Sequence, residues 1–150
     1  MASSFDKSID AVAETCLAVH IRMLNRVVTN IYDEELRPLG LKVSQMNILV
    51  AAYKIGNARP SDVCERLHLD VSTLSRNVDR MMAKGWLEVV QDVDGRAQPF
   101  RLTDSGRELL QKTVPRWKAA QKRAAQLLGD EVVEVVNTAL RRLQRSRAAV

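Results

Sequence analysis

Aromatic side chains are scarce, at 4% of the 150 residues, so any core has to be built from Leu, Val, Ala, Met and Ile. Cysteine is scarcer still. Cys16 and Cys64 stand far apart, with no C-x-x-C or Cys/His ligand spacing, which excludes a recognisable structural zinc site and suits reduced cytoplasmic thiols. Two histidines, His20 and His68, lie near no Ser, Cys or Asp pattern of a nucleophilic triad, and the six glycines are scattered rather than gathered into a phosphate-cradling loop. The sequence therefore argues against an enzyme and indicates no catalytic residue, metal or cofactor. No apolar run approaches the ~18 residues of a membrane span. The start, "MASSFDKSID", lacks the basic, apolar and small-residue segments of a secretion signal, so a cytoplasmic location and no membrane partner are expected.

What is present is a globular composition, 46% hydrophobic and 27% charged, with a formal net charge of +5. Such a length fits one domain with a real core. A basic balance favours an anionic partner such as nucleic acid.

Apolar residues recur at helical spacing from Ile9 to Leu36, where Arg37-Pro38 stops them, because proline cannot continue a helix and disfavours it in the residue before. This predicts one long first helix, more than a small core can cover. A second helix is expected over Val43–Lys54, with Gly56 as its cap, and a short third over Pro60–Leu67. After a tight turn, Asp70 is placed to cap a fourth helix, Val71 to Lys84, ended by Gly85. "WLEVVQ" and "PFRLT" read as short strands joined by the polar turn "DVDGRA", hence an antiparallel hairpin. Thr103 then caps a long helix, Asp104 to about Leu128, with Pro115 expected to bend it. Gly129-Asp130 separates it from a last helix, Glu131 to about Arg147.

A short helix, a tight turn and a second helix form a helix-turn-helix, and the hairpin after it makes a winged helix. On the fourth helix, Val71, Leu74, Val78, Met81 and Met82 occupy one arc and Ser72, Thr73, Arg76 and Arg80 the other. Short hydroxyls let a helix approach a major groove, and arginine can donate in pairs to guanine or to phosphate. Ser75 and Asn77 lie on the flanks as secondary phosphate candidates. Asp79, at the margin, is expected to pair with Arg76 or Arg80. Arg96, after Asp94-Gly95 at the hairpin tip, is placed to reach an adjacent minor groove. Arg101 either supports the hairpin or contacts the DNA backbone.

"SDVCERLHLDVSTLSRNVDRMMAKGWLEVVQDVDGRAQPFRLTDSGRELL" resembles the winged-helix core of the MarR family (multiple antibiotic resistance regulators) of bacterial transcription factors. The resemblance lies in "VDRMMAKGWLE", the wing "DVDGRA" and "LTDSGREL" after it, and "YDEELRPLGLKVSQMNIL" is similar to the family's first-helix exit and second helix. It implies a mainly α fold in a single chain, 1–150. A winged helix-turn-helix lobe would span 43–103, and helices over 9–37 and 104–148 would join two copies into a homodimer. Each copy would set one recognition helix in a major groove and one wing in a minor groove of a palindromic double-stranded operator. Lys42 stands where the family often has a capping hydroxyl, and Cys64 where alanine is usual, as a small buried hydrophobe. The basic "LRRLQRSR" near the end would fall in the dimer region, away from DNA.

The resemblance also implies a signal, with the chain acting as a repressor released by a small aromatic acid or phenolic effector. A crevice between dimer helices and lobe would be walled by His20, Met23, Met46 and Trp117, with Arg22 nearby. Three alternatives stay open on the sequence. Cys16 resembles the position used by peroxide-sensing members, with His20 one turn away, although no tyrosine accompanies it and an interface cysteine is the other reading. An architectural DNA-binding protein without effector, and a protein-binding winged helix, complete the set.

Overall fold

The computed structural model describes residues 3–91, 95 and 98–148. Seven helices and two short strands follow in the order α1 Ser4–Thr15, α2 Leu17–Leu36, α3 Val43–Ile55, α4 Pro60–Leu67, α5 Val71–Ala83, β1 Leu87–Val89, β2 Phe100–Leu102, α6 Asp104–Leu128 and α7 Asp130–Ala148. A 3-10 turn, Arg37–Leu39, links α2 to α3. None of the described helices is long and apolar enough to cross a membrane.

The fold is mainly α with an antiparallel hairpin, as expected. In the hairpin, Leu87 faces Leu102, Glu88 faces Arg101 and Val89 faces Phe100. Ala58, ahead of α4, pairs with the other edge of β2 through two backbone hydrogen bonds with Phe100, each of 2.9 Å. This ties the wing to the α3–α4 connection. One core joins α3, α4, α5, the hairpin and the start of α6 around Ile48, Leu49, Val63, Leu74, Met81 and Phe100. With so few aromatics, Phe100 is the largest fully buried side chain.

The long first helix is not continuous. It begins at Ser4 and breaks at Cys16, whose ψ of 103° is extended rather than helical. Neither proline nor glycine is present. Instead the Thr15 hydroxyl donates to the Ala11 carbonyl at 2.6 Å, the back-bond with which threonine competes for a helix carbonyl and bends the chain.

α2 packs along α6. Arg123 bridges Glu34 and Glu35, each at 2.8 Å, Arg116 donates to the Glu35 carbonyl at 3.2 Å, and Tyr32 bonds Gln121. Hydrogen bonding and charge from Arg123 hold the Glu34 carboxyl below its ordinary value. Lys42 gives α3 no side-chain cap. A distant residue supplies one, because Asp33 on α2 accepts from the Val43 amide at 2.8 Å and Gln45 accepts from the Lys42 amide at 3.1 Å. The capping loss expected at Lys42 is thereby offset from across the fold.

α6 starts where Thr103 accepts from the Gly106 amide at 3.1 Å, and it runs through Pro115 to Leu128. The Thr103 hydroxyl also donates to the Gly85 carbonyl at 2.6 Å, joining the exit of α5 to the start of α6. A side chain at Gly106 would collide with the Trp86 carbonyl oxygen, so the crossing of hairpin and helix depends on glycine there.

Candidate nucleic-acid interface

α4 and α5 meet at a turn that His68 makes possible. It adopts φ 54°, ψ 43°, the left-handed conformation that ends a helix, and is the sole non-glycine with positive φ among the described residues. Asp70 then caps α5. Its carboxylate accepts from the Ser72 hydroxyl at 2.5 Å, the Thr73 hydroxyl at 2.7 Å and the Thr73 amide at 2.8 Å. These donors, the Ser72 hydroxyl foremost, hold the Asp70 carboxyl well below the usual carboxylate range.

The two faces of α5 are sorted by burial. Leu74, Val78 and Met81 are buried and Met82 is half-buried. Ser72, Ser75, Arg76, Asp79 and Arg80 are exposed, with Thr73 and Asn77 half-buried on the flank. Arg76 donates through Nε to the Ser72 carbonyl at 3.2 Å, and Asn77 donates to the Thr73 carbonyl at 2.9 Å. Arg76 thus lies along the helix with its terminal guanidinium nitrogens outward, whereas Asn77 is occupied in part by the backbone. Ser72 and Thr73 have directed their protons to Asp70, so what they present outward is acceptor lone pairs.

Several expectations need correction. Val71, expected inward, is 67% exposed, because the first residue of α5 overhangs the lobe. Asp79 forms no ion pair with Arg76 or Arg80 among the described residues; the four ion pairs join Arg101 to Glu88, Arg123 to Glu34 and Glu35, and Arg141 to Glu134. Arg101 meets the cross-strand Glu88 at 2.6 Å, which supports its hairpin reading. Arg107 lies over the Tyr53 ring at 5.8 Å. Arg96 lies outside the described residues. Cys64 is half-buried rather than buried, and burial, followed by the Asp70 carboxylate, pushes its thiol up.

A cavity of about 540 Å³ lies between α3 and α6, lined among others by Met46, Val50, Tyr53, Leu110 and Trp117. That is within the roughly 300–1,000 Å³ of small-molecule pockets. Of the four residues expected in a crevice, the fold brings Met46 and Trp117 together on this cavity. His20 and Met23 stand apart from it on the exposed part of α2, as does Arg22. Sequence reading missed Val50, Tyr53 and Arg107. The apolar spacing of α3 points Tyr53 inward, yet it is 54% exposed at the cavity edge.

Comparison with known proteins gives one consistent result. The model of the MarR family matches residues 39–97. The transcriptional regulator MosR of M. tuberculosis, solved in complex with DNA, is 30% identical with a TM-score of 0.75, over 90% of this chain and 98% of that one. Bordetella bronchiseptica BpsR, whose DNA binding is regulated by 6-hydroxynicotinic acid, has a TM-score of 0.76 at 21% identity, over 87% of this chain and 99% of that one. The multiple antibiotic resistance protein MarR of Salmonella typhimurium is 29% identical over 87 residues, which is 57% of this chain. The match spans 60% of the length of that curated relative.

Proposed function

This chain belongs to the MarR family, and we propose that it is a homodimeric, sequence-specific DNA-binding transcriptional regulator, a repressor of its target. The observation that carries the reading is the exposed face of α5, where Ser72, Ser75, Arg76 and Arg80 project opposite the buried Leu74, Val78 and Met81. Arg76 is the candidate for guanine, through its outward nitrogens. Val71, exposed at the leading end, suits a thymine methyl, and the lone pairs of Ser72 and Thr73 suit the exocyclic amines of cytosine or adenine. Arg80, Ser75 and Asn77 suit phosphates, which orient a helix without specifying sequence. Arg96 belongs to the wing and is proposed for the minor groove.

A homodimer is supported by what a single chain leaves uncovered. Leu17, Ile21 and Leu24 on α2 and Val135, Val136 and Leu143 on α7 are each 48–69% exposed, and patches of that kind mark interfaces. Two α5 helices about 34 Å apart would dock on successive turns of a palindrome. The cavity between α3 and α6 is the proposed effector site, for a small aromatic or phenolic acid that could stack on Trp117 and Tyr53 and pair with Arg107. A ligand there, bound better in one lobe angle than another, shifts the spacing of the two α5 helices.

The test is fluorescence anisotropy against a palindrome selected from random duplexes and a scrambled control. Tight binding to the palindrome alone supports the reading. Equal affinity for both would favour an architectural role, and no binding at low salt would remove DNA as the partner.

A further inference from the structure

Three basic side chains lie along α5 and its exit, and they are not alike. Arg76 turns its terminal nitrogens outward, and Arg80 is exposed. Lys84, the C-cap residue of α5, is exposed as well, and charge alone would give it to a phosphate. Its ammonium is instead held by the fold. Nζ donates to the Gly40 carbonyl at 2.9 Å and stands 4.5 Å from the centre of the Trp86 ring, where a cation meets the negative face of an indole.

Both partners sit at junctions. Gly40 closes the 3-10 turn between α2 and α3 in the left-handed conformation, φ 65° and ψ 25°. Carbonyls at a helix end lack partners within the helix, and a lysine is a suitable donor to them. Trp86 leads from α5 into the hairpin. Its amide donates to the Met81 carbonyl at 3.0 Å, and its carbonyl accepts from the Thr103 amide at 3.2 Å. The exit of α5 is thus held from two sides. α6 holds it through Thr103 and through the close approach of Gly106 to Trp86. The α2–α3 corner, 44 residues away in sequence, reaches it through the Lys84 side chain.

We propose that Lys84 is a positioning residue for DNA reading: by tying the exit of α5 to the α2–α3 corner, it sets the angle at which the recognition face meets the groove. This rests on the DNA-binding reading above. α5 has 13 residues and is roughly 20 Å long, so a tilt of roughly 10° about its exit displaces its first turn by roughly 3 Å. Hydrogen bonds to base edges do not survive such a shift, whereas attraction to phosphates, which acts over about 8–10 Å in ordinary salt, largely does. Lys84 therefore acts on sequence preference rather than on general affinity. Because α2 packs along α6, the tie also makes the angle of α5 follow that helix pair.

Full-length Lys84→Met and Lys84→Arg test this by fluorescence anisotropy on the selected palindrome and on a scrambled duplex, at a temperature where circular dichroism shows both folded. Methionine keeps the apolar stem over Trp86 and removes the donor and the charge. Lys84→Met is expected to bind the palindrome several-fold more weakly, with the scrambled affinity and the salt slope unchanged. Lys84→Arg, which keeps a cationic donor, is expected to recover most of the loss. In a Trp117→Phe background Trp86 is the sole tryptophan, and its emission is expected to shift with Lys84→Met. Unchanged palindrome affinity or unchanged emission would overturn the proposal. Equal weakening on both duplexes, with a slope shallower by about 0.9 per lysine removed, would make Lys84 a phosphate contact and overturn it too. Each of these leaves the DNA-binding reading standing, whereas an unmodified chain that binds neither duplex would overturn both.

Discussion

Gly106→Ala sets two physical effects of opposite sign against each other. Gly106 lies in the first turn of α6 without a positive φ, so helix propensity alone says alanine should stabilise, by up to about 1 kcal/mol. Packing says the reverse. The added Cβ would run into the Trp86 carbonyl oxygen and approach its carbonyl carbon at 3.1 Å and Cα at 3.4 Å. That oxygen cannot turn aside cheaply, because it accepts from the Thr103 amide at 3.2 Å while the Thr103 hydroxyl holds the Gly85 carbonyl. Overpacking costs about 1–3 kcal/mol, and a backbone obstacle belongs at the upper end. The net expectation is a loss of about 1–2 kcal/mol, or a fall in Tm of about 2–8 °C for a chain of this size. Thermal denaturation at fixed protomer concentration measures it, since dimer formation makes Tm concentration-dependent. An unchanged or raised Tm would refute the packing argument and with it the placement of the hairpin on α6.

Further outcomes are expected. Arg76→Ala should cost about 1–3 kcal/mol on the selected palindrome and relax its sequence preference; uniform weakening on every duplex would make Arg76 a phosphate contact only. Arg96→Ala should weaken binding with a shallower dependence on salt, and an identical salt slope would take the wing out of the interface. Asp70 has its pKa depressed on folding, so its stabilising contribution is complete above the ordinary carboxylate range and is lost as pH falls through the lowered value. Asp70→Asn should therefore flatten the acid limb of the stability–pH curve, and superimposable limbs would contradict the capping geometry. Val50→Trp, filling the α3–α6 cavity, should leave DNA binding intact and abolish stabilisation by aromatic acids in a thermal-shift series; retained stabilisation would place the effector elsewhere.

How much of this was legible depended on whether the cause was local. α4 was readable to the residue because Pro60 opens it and the tight turn before Asp70 closes it. α5 and α6 were readable because Asp70 and Thr103 each accept from the amide three residues ahead. Periodicity also separated the two faces of α5 apart from Val71, whose exposure depends on where the lobe ends rather than on helical phase. What was not legible came from afar or from competition between weak terms. Asp33 caps α3 from across a turn, Ala58 joins the hairpin from an irregular segment, and Arg107 lies over the Tyr53 ring. The break at Cys16 arises where a threonine back-bond tips a helix that its apolar spacing would continue. The candidate cavity was half legible. Met46 and Trp117 sit on helices that face each other, but His20 lies on α2 beyond its packed segment, and spacing within a helix carries no information about which stretch meets the lobe.

In the proposed dimer two α5 helices read one palindrome together. This is measured as the affinity for the selected palindrome against the same sequence with about five base pairs inserted between half-sites, half of the roughly 10–10.5 base pairs in a turn. The insertion, by placing the second half-site on the opposite side of the duplex, is expected to reduce binding to the level of a scrambled duplex. Undiminished affinity for the spaced duplex would contradict it.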